Sequence, residues 1–143
     1  KIKDFNSLEI ELSIDDRIVE KLSIPVETQV IRSDGSRYRR FNLILFDFDS
    51  YALTPRNAEI VDYINNEIPT SAKVVVEGYT DNLGDEEYNQ KLSRLRAKTA
   101  AERINAENIK IEAYGEKRPL YDNDLPEGRF YNRTVRVTAE SRE

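Results

Sequence analysis

Asp81 and Arg96 are the two residues of this chain best suited to gripping a charged ligand. The acid closes an apolar run, Val74-Val75-Val76-Glu77-Gly78-Tyr79-Thr80-Asp81, and the arginine follows fifteen residues later within Leu92-Ser93-Arg94-Leu95-Arg96-Ala97. A carboxylate accepts hydrogen bonds from an ammonium group, whereas a guanidinium forks onto a carboxylate with parallel N–H donors. Together they could hold a zwitterion. Each also has an ordinary reading, Asp81 as a turn or cap residue and Arg96 as a solvated helix charge or half of a surface ion pair.

Composition narrows the remaining chemistry. The chain has 143 residues, no Cys and no His, and a formal net charge of −5. Lacking Cys, it has no disulfide, thiol nucleophile or thiolate zinc site. Lacking His, it has no serine-protease relay and few routes to a transition-metal centre. No metal or cofactor is expected. An acidic balance argues against a nucleic-acid partner, and no apolar run is long enough to insert this segment in a membrane as a helix. The opening Lys1-Ile2-Lys3-Asp4-Phe5 does not read as a signal peptide, so the chain reads as cut from a longer precursor.

The elements that must position the pair follow from periodicity. Residues 1–38 read as β-rich: Leu8 to Leu12 alternates, Asp15 to Lys21 fits a helical turn or a loop, and Val26 to Ile31 has strand character. Ser33-Asp34-Gly35-Ser36 signals a hairpin turn, and Tyr38 to Asp47 is the returning strand. Thr54-Pro55 opens a helix whose stripe is Ile60, Val61, Ile64 and Ile68, with Pro69 as its stop. Lys73 to Gly78 is a buried strand. A second helix runs from about Asp85 to Asn105, with Tyr88, Leu92, Leu95 and Thr99 on one stripe. Ile109 to Tyr114 is a strand, Gly115 to Arg129 a loop rich in turn residues, and Arg133 to Val137 a last strand. The order is β-α-β-α-β-loop-β, an α/β sandwich with helices packed on one mixed sheet. Domain organisation is expected as a β-rich segment 1–38, read as the end of a preceding domain, a strand that extends the sheet or a dimerisation arm, and a domain over 39–143.

From roughly residue 40 to residue 139 the motifs resemble the OmpA-like peptidoglycan-binding domain. The matching residues are Phe46-Asp47-Phe48-Asp49-Ser50, Leu53-Thr54-Pro55, Gly78-Tyr79-Thr80-Asp81, Tyr88-Asn89, Leu92-Ser93 with Arg96-Ala97, Tyr114-Gly115-Glu116, Pro119, Glu127-Gly128-Arg129 and Asn132-Arg133. The resemblance implies a non-catalytic anchor that grips the diaminopimelate side chain of the peptidoglycan stem peptide in the periplasm. The parent would be an outer-membrane or envelope protein of a diderm bacterium, with a homodimer left open. Asp81 would take the ammonium and Arg96 the carboxylate. Thr80 and Asp49, at neighbouring strand ends, could bond the peptide backbone. Asn89, two helical turns before Arg96, could line the same groove, and Arg133 could add a cation or brace Asp81. For Asn89 and Thr80, loop bracing is an equal alternative. The chain departs from the family at Tyr79, where His is usual, and at Thr134, where a second Arg is usual.

Two other functions compete. A flagellar-stator-like wall anchor would use the same domain beside a transmembrane helix. A carboxylate-dependent wall hydrolase would use Asp47 or Asp49, although alternate residues of a strand face opposite ways. Asp122-Asn123-Asp124 lacks the spacing of a calcium loop, and Arg37-Tyr38-Arg39-Arg40 reads as an exposed strand end.

Overall fold

The computed structural model describes the backbone of residues 8–14, 17–24, 27–32, 34–44 and 46–142. Seven strands and three helices follow one another among them: β1 (Leu8–Ile14), β2 (Arg17–Ile24), β3 (Glu27–Ile31), β4 (Ser36–Ile44), α1 (Pro55–Glu67), β5 (Lys73–Tyr79), α2 (Glu86–Ala101), β6 (Asn108–Gly115), α3 (Pro126–Asn132) and β7 (Thr134–Arg142). β1 and β2 form an antiparallel pair of their own, and the other strands make one mixed sheet in the order β3-β4-β7-β5-β6. Only β5 and β6 are parallel there. Their connection is α2, the long crossover that parallel neighbours require.

Side chains alternate along β5. Val74 and Val76 are buried and join Phe41, Ile64, Val135 and Val137 in the core beneath the helices, while Glu77 and Tyr79 lie on the other face with Tyr114 of β6. α1 starts where the sequence places it: the Thr54 hydroxyl accepts from the Asn57 N–H at 3.2 Å, and Pro55 occupies the first turn. It ends at Glu67, with Ile68 as its C-cap before Pro69. α2 is capped by Asp85, which accepts from the Tyr88 N–H at 3.0 Å.

Several expectations give way. The segment expected as a turn or loop from Asp15 is strand β2 from Arg17 on, with Asp15 and Asp16 outside the described residues. Ser33 of the hairpin turn and Leu45 of the returning strand also lie outside them, and that strand ends at Ile44, short of Asp47. The expected loop over 115–129 gives way to α3 from Pro126, with proline in the first-turn position that a helix accepts. Gly128 is needed inside that helix, because a Cβ there would stand 1.7 Å from the Asp122 carbonyl oxygen. Asp122 and Asn123 are ordinary loop residues: Asp122 accepts from the Asp124 N–H at 2.9 Å, and Asn123 is bound by Asn132.

Of the stripe expected on α2, Leu92 is buried and Thr99 partly so, but the other two residues face outward. Tyr88 and Leu95 are 48% and 41% exposed, and the buried face is Asn89, Leu92, Ser93, Arg96, Ala97, Ala100 and Ala101. At Gly78, α2 lies so close to β5 that its neighbours there are the small residues Ser93 and Ala97. A Cβ on Gly78 would stand 2.0 Å from the Ser93 carbonyl oxygen. That close approach carries Arg96 inward.

Candidate functional site: a cleft at the end of the central strand

Three segments meet where β5 ends: the turn 46–50 after β4, the loop 80–85, and the inner face of α2. Arg133, between α3 and β7, closes the fourth side. The Phe46 N–H donates to the Arg133 carbonyl at 3.1 Å, which fixes the turn against the start of β7. The resulting cleft is lined by Asp49, Thr80, Asp81, Asn89, Arg96 and Arg133, with Phe48, Leu83, Tyr88 and Leu92 completing it. All six residues named from sequence therefore meet in one place.

Arg96 is buried to 1% exposure, which is costly for a cation unless its donors are met. Nε donates to the Ser50 carbonyl at 2.8 Å, Nη1 to Tyr79 at 3.2 Å and Nη2 to Asp47 at 3.2 Å. Its guanidinium lies 5.3 Å from the centre of the Phe46 ring. A guanidinium has five N–H donors, so one hydrogen is left on each terminal nitrogen. Burial pushes its pKa down to about 10, a fall that Asp81 opposes and Arg133 reinforces, and it stays charged at neutral pH.

Asp81 is 4% exposed. Oδ1 accepts from the Leu83 N–H at 3.2 Å, and Oδ2 from Arg133 Nη1 at 3.2 Å. Thr80 is 1% exposed, and its hydroxyl has no partner among the described residues. An unmet buried hydroxyl in a cleft wall costs about 1–3 kcal/mol and so favours a ligand atom or a water there. The Asn89 amide nitrogen is occupied by bracing: it contacts the carbonyls of Asp81 and Leu83 and a Glu116 carboxylate oxygen at 2.6 Å. Its Oδ1 is what remains for a ligand.

Asp49 is exposed, stands at φ 54°, and accepts a hydrogen bond from the Tyr88 hydroxyl. That bond, first among the causes, raises the tyrosine pKa. It also links the turn to α2 across the rim, a role the sequence did not suggest for a residue taken as apolar stripe. Asn132 is another residue whose work was not legible. Fully buried, it accepts from the Leu120 and Tyr121 N–H groups and donates to the Tyr121 carbonyl and Asn123, pinning the loop before α3. The departure at Tyr79 leaves the cleft lining intact, since only its backbone carbonyl serves Arg96, while its ring packs against Tyr114 at 5.4 Å. Burial, then Glu77, raises its pKa.

The model of the OmpA family matches residues 45–133, the span that contains every wall of the cleft. The outer-membrane lipoprotein YfiB of Pseudomonas aeruginosa is 33% identical over 114 residues, 75% of this chain and 68% of that protein. The peptidoglycan-binding protein ArfA of Mycobacterium tuberculosis is 35% identical over 101 residues, 66% of this chain but only 31% of ArfA. Among solved structures, the peptidoglycan-associated lipoprotein of Burkholderia pseudomallei superposes with a TM-score of 0.61 at 19% identity, covering 67% of this chain and 87% of that one.

Proposed function

The chain belongs to the OmpA family, and from that membership we propose that its cleft binds the peptide of peptidoglycan without catalysis and so anchors an envelope protein to the cell wall. The ligand is the diaminopimelate side chain, whose far end carries an ammonium and a carboxylate on one carbon. Asp81 accepts the ammonium, sharing its carboxylate with Arg133. Arg96 offers the carboxylate the two N–H groups its backbone partners leave over, and Thr80 supplies a further polar contact. Asn89 and Asp49 hold the walls. The place of action is the periplasm.

The observation that carries this reading is the joint burial of Asp81 and Arg96 in one cleft, with donor capacity unspent on the arginine. ArfA is named for binding peptidoglycan and the Burkholderia lipoprotein for associating with it, which supports the same ligand. Charged hydrogen bonds contribute about 1.5–3 kcal/mol each, so a single site binds on the order of micromolar to millimolar after ordering and desolvation losses. Many anchors on one polymer make such weak sites sufficient.

Titration of a diaminopimelate stem tripeptide, followed by NMR, tests the proposal. Saturable shifts over residues 80–96 are expected, with affinity lowered about 10- to 100-fold in Asp81→Asn and Arg96→Lys. A lysine-type peptide, which lacks the terminal carboxylate, should bind poorly. Equal binding of the two peptides, or full affinity in both folded variants, would sink it.

A further inference from the structure

The zwitterion fills only the end of the ligand, and the cleft has room for little else. About 30 Å³ of it is open to the centres of water-sized molecules. The rest of the peptide must cross the rim. A larger hollow of about 350 Å³ lies beside α3, lined by Pro126, Glu127, Arg129, Phe130, Tyr131 and Arg133. Arg133 lines both spaces, so they adjoin at that residue.

Arg133 is unusually underused for a half-buried cation. Nη1 donates to Asp81, and the guanidinium lies 5.1 Å from the centre of the Phe130 ring. Among the described residues the guanidinium makes no other hydrogen bond, and its Nε is buried without a partner. Arg129 stands farther along the same hollow, with Nη1 donating to the Asn123 and Asp124 carbonyls at 2.9 and 3.1 Å. Two guanidinium groups and an aromatic face thus continue the cleft in one direction. The other rim, toward Phe48, Leu83 and Tyr88, offers apolar side chains and a tyrosine already bonded to Asp49.

We propose that the hollow beside α3 is a second subsite that receives a further carboxylate of the stem peptide. The carboxylate sits on Arg133 and Arg129, and the peptide's apolar part rests on Phe130. This rests on the peptidoglycan reading and adds a direction to it. A stem peptide has such anions at hand: the glutamyl residue before diaminopimelate carries its own carboxylate, and the chain beyond ends in another. Glu127 is the one acid in the lining and opposes the anion, which makes it a useful reporter because it does not line the first cleft.

The experiment compares three peptides by NMR titration: the tripeptide with a free glutamyl carboxylate, the same tripeptide amidated there, and the tetrapeptide ending in D-alanine. With the free tripeptide, shifts should reach Glu127, Arg129 and Phe130 as well as residues 80–96. Amidation should weaken binding about tenfold and remove the shifts near α3. Glu127→Gln should tighten the free tripeptide about twofold and leave the amidated one unchanged. If amidation is without effect but the tetrapeptide binds more tightly and shifts the α3 residues, the subsite stands and the carboxylate is the terminal one. Shifts confined to residues 80–96, with equal affinities for all three peptides, would overturn the subsite alone. Absence of binding by every peptide would overturn the peptidoglycan reading and the subsite with it.

Discussion

Charged and aromatic side chains gather both beyond the end of β5 and across the helix-free face of the sheet, and the two groups use them differently. Toward α2, Asp81, Arg96 and Arg133 are enclosed, and the central arginine is held by three backbone carbonyls. On the helix-free face, Tyr79 packs on Tyr114, Arg136 lies 5.8 Å from the Tyr79 ring, Lys110 pairs with Glu112 at 2.6 Å, and the Tyr114 hydroxyl donates to the same carboxylate. Lys110, Glu112 and the Tyr114 hydroxyl satisfy one another near the surface, where water screens them and each contributes little, although the Tyr79 ring beside them is buried. In the cleft, burial removes the water, so every unmet donor or hydroxyl keeps its appetite for a partner. Joint enclosure of opposite charges in one cleft, more than residue type, makes that cluster the candidate receptor.

The strongest way to break that contrast is to remove the enclosed cation. Arg96→Ala would strand three carbonyls and leave a cavity, at a cost on the order of 3–5 kcal/mol, a large share of the roughly 5–15 kcal/mol available to a domain. A fall in Tm of about 10 °C or more is expected by calorimetry. A fall of a degree or two would mean Arg96 is no better integrated than a surface charge. For that reason Arg96→Lys, which keeps the charge and loses the fork, is the variant suited to binding tests. Next in size is Gly78→Ala. Its Cβ would press on the Ser93 carbonyl and push α2 away from β5, costing about 1–3 kcal/mol. Because Arg96 rides on that helix, peptide affinity should fall too, although position 78 touches no ligand. Unchanged affinity in a destabilised Gly78→Ala protein would detach the site from the helix approach.

That approach also explains which features could be read from sequence. Thr54-Pro55, the run Val74 to Val76 and the turn at Asp34-Gly35 are local signals, and each element formed where its signal stood. The meeting of Asp81 with Arg96 was legible only through the ordered motifs, since nothing local says how closely α2 approaches the sheet. Gly78 decides it, and it also turns Tyr88 and Leu95 outward and Ser93 and Ala97 inward, against the apolar count. The carbonyl cradle of Arg96 was invisible because Asp47 and Ser50 contribute backbone atoms from a distant turn. α3 was missed because proline and glycine, which usually punctuate loops, here serve a first turn and a close contact.

Charges outside the cleft should yield the smallest effects. Glu112→Gln removes a carboxylate that Lys110 and Tyr114 share, and its exposed setting limits the expected change in Tm to about 2 °C with no change in peptide affinity. A finer readout is pH. Bonds from the Ser36 hydroxyl and N–H hold the Asp34 carboxyl below its ordinary value of 3.8, and Lys110 with Tyr114 holds Glu112 below 4.5. A carboxyl depressed in the folded chain stabilises it above the unfolded-state pKa, and that contribution is lost as pH falls through the folded value. Wild type should therefore lose stability faster than an Asp34→Asn, Glu112→Gln double variant as pH drops from about 5 toward 3. The difference between the two curves should be flat above that window. Parallel denaturation curves throughout would show that these bonds do not survive in solution, and the helix-free face would then be looser than its pairings indicate.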